Sequence, residues 1–156
     1  MDEKSLNSYL KTIYVLYEAK IPTSTVSIAK ALNVKPGSVT EMLQKLAKEG
    51  YVSYSPYHGA ELNEKGKNIA KKIIRKHRLL EAFLKNILKL DDDEVRKQAS
   101  ELLHSLSDHA DQQLCIFLSR PTEDPVDHGD IPHCTKKISC NQCLKENHGK
   151  IGKPDF

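Results

Sequence analysis

The sequence predicts a mainly α-helical chain that opens with a winged helix-turn-helix, continues into a second, α-helical domain and ends in a cysteine-containing tail. Three observations predict it. Two short amphipathic runs flank the turn signal "NVKPGS"; a pair of β-favouring stretches lies in "YVSYSPYHGAELNEKGK"; and an apolar stripe is sustained over residues 66–90.

Leu6, Leu10, Ile13, Tyr14, Leu16 and Tyr17 recur at helical spacing, so residues 5–19 form a first helix that Pro22 breaks. Ser24 or Thr25 caps a short helix bearing Val26, Ile28, Ala29 and Leu32. Asn33 tolerates the tight turn that follows. Pro36 suits the first position of a helix over 36–48, and Gly50 ends it. Two short helices around a tight turn make a helix-turn-helix. On the second, Val39, Met42, Leu43 and Leu46 share one face. The opposite face shows Gly37, Glu41, Gln44 and Lys48, flanked by Ser38, Thr40 and Lys45. A helix lying in a major groove needs small residues for close approach and polar tips for base edges; a plain solvated face is the alternative. The hairpin around Ser-Pro-Tyr-His-Gly adds the wing. The expected interface is Pro36, Ser38, Thr40, Glu41 and Gln44 on bases, Lys35 and Lys45 on phosphates, and Tyr57 and His58 at the wing tip.

Net charge over the 156 residues is only +3, so a basic surface has to come from uneven distribution. Residues 64–86 carry eight Lys or Arg against two Glu, the concentration that phosphate neutralisation asks for. The helix over 66–90 bears Ile69, Ile73, Ile74, Leu79, Leu80, Phe83, Leu84 and Ile87, too long a stripe for a small winged domain to cover. After the acidic Asp91–Asp93 turn, a helix over 94–114 carries Val95, Ala99, Leu102, Leu103, Leu106, Ala110 and Leu114. Two apolar helices joined by a short turn read as a self-pairing unit. A homodimer fits, because two winged helices on palindromic double-stranded operator DNA need one. The expected division is 1–65 for DNA binding, 66–132 for dimerisation and 133–156 for the tail. "MDEKSLNSYL" has no apolar signal core and no run approaches the ~20 apolar residues of a span, so a cytoplasmic protein with no membrane partner is expected.

"VSIAKALNVKPGSVTEMLQKLAKEGYVSY", "LNEKGKNIAKKIIRKHRLLEAFL", "HSLSD" and "DHGDIP", taken in order, resemble the diphtheria-toxin-repressor family, which includes the iron-dependent and manganese-transport regulators. The similarity spans about residues 5–132. It implies a homodimeric DNA-binding repressor, with helix 36–48 in the major groove and no enzymatic activity. It also implies metal ligands at His77, Glu81 and His104, where iron or manganese would sit. Elsewhere the chain departs from the pattern: Ser8 stands for Asp or Met, Lys11 for Glu, Ser100 for Glu or Cys, and Leu103 for Glu. Those exchanges remove charge and donor atoms that a divalent ion wants.

Three of the four cysteines crowd "HCTKKISCNQC". Cys134, Cys140 and Cys143 form a compact thiolate set, and Cys115, His133, His128 or an outside ligand would complete it. Soft thiolates select an iron–sulfur cluster or zinc, and spacing does not separate the two; free thiols or a redox disulfide are the remaining alternative. The expectation is therefore a transcriptional repressor responding to iron or iron–sulfur status. The alternatives are a zinc-stapled regulator with iron or manganese as effector and, from another class, a thiol oxidoreductase, for which the CxxC lacks a βαβ setting.

Overall fold

The structure, a computed structural model, describes residues 2–134. The chain divides into two compact units, Met1–Ile74 and Arg75–Phe156.

In the first unit, α1 (Glu3–Glu18) starts where the Asp2 carboxylate accepts from the backbone N–H of Lys4 and Ser5, and it buries Tyr9, Leu10, Ile13 and Leu16. Tyr17, expected on that stripe, is 74% exposed, one residue of helical turn away from Leu16. α2 (Thr25–Leu32) is capped by Ser24, whose Oγ accepts from Ser27 N at 3.1 Å, and it closes on Asn33 in the left-handed conformation. α3 (Pro36–Lys48) has proline at its first position and buries Val39, Leu43 and Leu46. β1 (Val52–Ser55) pairs antiparallel with β2 (Gly59–Leu62), Val52 opposite Leu62 and Ser55 opposite Gly59. The wing is tied down at Thr23: its carbonyl accepts from Ala60 N at 3.0 Å, and its Oγ1 donates to Ala60 O at 2.6 Å. Gly59, at φ +82°, sits so close to the Thr23 carbonyl that a Cβ has no room. The interiors of α1, α2 and α3 meet Val52, Ala60 and Ala70 in one apolar core.

α4 (Glu64–Asn86) contains the division between the units and is shorter than the expected 66–90 at its C-terminal end. Beyond it, Lys89 turns at φ 60° and Ile87 and Leu88 are exposed. The expected helix 94–114 is two helices. α5 (Asp92–Leu102), capped by Asp91, runs into a 3₁₀ turn at Leu103–Ser105, and α6 (Asp108–Phe117) begins afresh. The break has a local cause: Ser107 Oγ accepts from Ala110 N at 3.1 Å, an N-cap that competes with helix continuation and leaves Leu106 extended. Leu102, Leu103 and Leu106 consequently do not form one face, since Leu103 is buried and Leu102 is 43% exposed.

The second unit has a polar centre. Arg75 and Arg78, one turn apart on α4, are 5% and 2% exposed. Arg75 Nε donates to Asp111 Oδ2 and its Nη1 to Pro132 O, both at 2.9 Å. Arg78 Nη1 donates to Asp130 O at 2.6 Å. Residues 122–132 thus form a strap held against α4, closed on itself by Ile131 N to Thr122 O and Asp124 N to Gly129 O. Asp124 is fully buried beside Glu81, and burial first, then that second carboxyl, pushes its pKa up to about 8. At neutral pH Asp124 therefore keeps its proton.

Two outcomes are expected. Gly129 lies flat on the Arg78 guanidinium, which is pinned by Asp130 O and so has little freedom to yield. Gly129→Ala should cost about 1–3 kcal/mol in urea unfolding. Asp124 has a folded pKa above its ordinary value of 3.8, so the stability it contributes is full below that value and is lost as pH rises through about 8. Asp124→Asn, neutral at every pH, should flatten the decline of the urea midpoint between about pH 5 and about pH 8; parallel curves for parent and variant would show the carboxyl is already ionised.

Candidate nucleic-acid interface and ligand residues

The apolar side of α3 is buried, which leaves its other side outward. Lys35, Pro36, Ser38, Glu41, Gln44 and Lys45 are exposed there. Thr40 is half-buried and donates its hydroxyl to Pro36 O at 3.2 Å, so its hydrogen is engaged within the helix. At the wing tip Tyr57 is 94% exposed and His58 is exposed beside it. A fully exposed tyrosine at the tip of an anchored hairpin is placed to meet an external surface.

The basic run of α4 is not the uniform phosphate-facing surface that its charge count suggests. Arg75 and Arg78 are buried. Lys76 pairs with Asp108 at 2.7 Å and donates to Leu106 O, and Lys85 pairs with Asp92 at 2.5 Å. Lys65 lies 4.0 Å over the Tyr51 ring and donates to Glu49 O. Lys67, Lys71 and Lys72 remain exposed and, within the first unit, add to Lys35, Lys45 and Lys48. The positive surface is narrower than expected because half of the run serves the second unit's interior or its acidic helix starts.

Of the expected metal ligands, two meet. His77 Nδ1 lies 3.0 Å from Glu81 Oε2, and His77 Nε2 lies 3.2 Å from Ser100 Oγ. Glu81 in turn meets Asp124. His104 sits exposed on the 3₁₀ turn, and His133 is exposed at the end of the strap. Among the described residues, no three His, Cys, Asp or Glu side chains form a group able to hold an ion. Both nitrogens of the buried His77 imidazole face protein partners in this arrangement, and Asp124, beside Glu81, keeps its proton at neutral pH. Cys115, near the end of α6, and Cys134 are half-buried free thiols. Cys140 and Cys143 lie outside the described residues, and with them the four-cysteine site.

Sequence reasoning passed over Asp111 and Asp124 and counted Arg75 and Arg78 into a phosphate-facing surface, whereas both are buried. The signal was there in part. Arg75 and Arg78 interrupt the Ile74–Leu79 apolar stripe at helical spacing, where a charge must be buried and paired. Their partners, far along the chain, were not readable.

Residues 3–60 match the iron dependent repressor, N-terminal DNA binding domain, and residues 63–133 match the iron dependent repressor, metal binding and dimerisation domain. The chain is 42% identical over 118 residues to the uncharacterized HTH-type transcriptional regulator MJ0568 of Methanocaldococcus jannaschii, covering 75% of this chain and 94% of that one. It is 35% identical over 137 residues to the HTH-type transcriptional regulator MntR of Bacillus subtilis, covering 88% and 96%. Among solved structures, the manganese regulator SloR superposes with a TM-score of 0.73 at 36% identity, over 86% of this chain and 62% of SloR. A manganese-dependent transcriptional repressor in complex with manganese gives 0.71 at 31%, over 83% and 63%. The chain thus spans about three-fifths of the length of these solved regulators. The matches favour iron or manganese and lend no support to an iron–sulfur cluster. They are regulators, not enzymes, which removes the thiol-oxidoreductase alternative. No described helix is long and apolar enough to cross a membrane. With helix-turn-helix, wing and helical second unit in the order of both matched domains, this chain belongs to the iron-dependent, or diphtheria-toxin-repressor, family of DNA-binding, metal-dependent transcriptional repressors.

Proposed function

We propose that the protein is a homodimeric repressor that reads a palindromic operator with α3, its affinity tuned by divalent iron or manganese. The observation that carries the reading is the split of α3 into a buried apolar face and an exposed face of Lys35, Pro36, Ser38, Glu41, Gln44 and Lys45. Residues 1–65 bind DNA in this reading, and residues 66–132 dimerise. Ile87, Leu88 and Leu102, exposed and apolar, are available to the second copy. The names of the relatives suggest the effector, and His77 with Glu81 is the donor pair this chain offers toward it. Because the rest of the ligand set is not assembled within the unit, the response should be weaker than that of a chain with a full set.

Gln44→Ala should relax base preference at one operator position, by about 1–3 kcal/mol of discrimination. Lys45→Ala should weaken all sequences alike and lower the salt slope of binding by about one unit. Fluorescence anisotropy over a salt series checks both, and parent-like behaviour of both variants would remove α3 as the reader. Chelator-treated protein should bind its operator more weakly than protein given Mn(II) or Fe(II), and His77→Ala should abolish the difference. Equal specific binding with and without metal would strike the effector and leave the DNA reading standing.

A further inference from the structure

We propose that Cys115 and Cys134 are a redox-sensitive thiol pair, gathered by the Arg75 guanidinium, that a small-molecule disulfide converts to an intrachain bond. One buried side chain holds both segments. Arg75 Nε grips Asp111 Oδ2 on α6, and Nη1 grips Pro132 O on the strap, each at 2.9 Å. Cys115 follows Asp111 by one helical turn, so its thiol falls on the same side of α6, beside the guanidinium. Cys134 follows Pro132 by two residues, and its Cα is at most two steps of ~3.8 Å from a residue whose carbonyl Arg75 already holds. Both thiols are half-buried and free.

A second observation points to a ligand at this place. Arg75 Nη2 is buried and has no hydrogen-bond partner, although Nε and Nη1 are both bonded. An unsatisfied guanidinium N–H inside a protein is costly, and a sulfur anion is an acceptor it can use. The other charged groups nearby are Arg120, whose backbone N–H donates to Cys115 O at 2.9 Å and whose Nε and Nη1 are also buried without a partner, and, at the start of α6, Asp111 and the Lys76–Asp108 pair.

The chemistry balances with a low-molecular-weight disulfide as oxidant. The Cys115 thiolate attacks one sulfur of that disulfide, forming a mixed disulfide and releasing one thiolate. The Cys134 thiolate then attacks Cys115 Sγ, forming the Cys115–Cys134 bond and releasing the second. Two protein thiols are oxidised, one disulfide is reduced to two thiols, and the two protein protons pass to the leaving groups. A disulfide needs Cα atoms ~4.4–6.8 Å apart, so residues 133 and 134 swing toward α6 about the Pro132 carbonyl. The product staples the strap across α6, inside the domain matched to metal binding and dimerisation.

The full reduced chain is exposed to oxidised glutathione, quenched with an alkylating agent and digested after glutamate and lysine. Cuts after Glu123, Lys136 and Lys137 place Cys115, Cys134 and the Cys140–Cys143 pair on separate peptides. The expected first product links the Cys115 and Cys134 peptides. It should persist in a Cys140→Ser, Cys143→Ser double variant, vanish in Cys134→Ser, and form several-fold more slowly in Arg75→Lys. If Arg75→Lys does not fold, the double variant still decides. The proposal is overturned if Cys115 pairs with Cys140 or Cys143, if it stays reduced while the tail cysteines pair among themselves, or if stoichiometric zinc or iron shields it from alkylation until a chelator is added.

Discussion

Two guanidinium groups buried one turn apart on α4 set the terms for the whole second unit. A charge with no water around it must find a counter-charge or a ring of acceptors. Arg75 takes Asp111 from α6 and the Pro132 carbonyl; Arg78 takes the Asp130 carbonyl and reaches Asp127. α6 and the strap are therefore positioned by α4 through hydrogen bonds with direction, which grease-like apolar contact does not have. Removing one partner of such a buried pair costs about 3–5 kcal/mol, although the intact pair adds little over a well-packed apolar replacement. What it supplies is a single arrangement of the strap, and the glycine at 129 exists so that Arg78 can lie flat beneath it.

The first unit works by the opposite logic. Its core is apolar throughout, the starts of α1 and α2 are capped by Asp2 and Ser24, and a polar fastening ties Thr23 to the wing. Burying Val39, Leu43 and Leu46 dictates which residues of α3 must face out. An exposed reading face thus comes free with a well-packed core. In the proposed reading, that packing is what holds the α3 side chains in register for base edges.

The departure from the family's metal ligands has a structural counterpart. His77 meets Ser100 and Glu81, and Glu81 faces Asp124, which burial keeps protonated at neutral pH. Rising pH is what removes that proton.

The sequence by itself determined the helix-turn-helix, the wing, the helical second part and the family, because each rests on neighbours in the chain. Periodicity marks faces, Ser24, Asn33, Pro36 and Gly50 mark ends, and all of these act within a turn or two. It misjudged the helix over 94–114, where a serine cap outweighed an apolar pattern at Ser107, and it credited Arg75 and Arg78 to a surface. Only the tertiary structure decided which basic residues are interior, that His104 stays apart from His77 while Asp124 joins Glu81, and that Arg75 gathers Cys115 and the strap. The reason is distance along the chain: the partners of Arg75 and Arg78 lie between 36 and 57 residues away, and no local rule relates a charge to a carbonyl that far off.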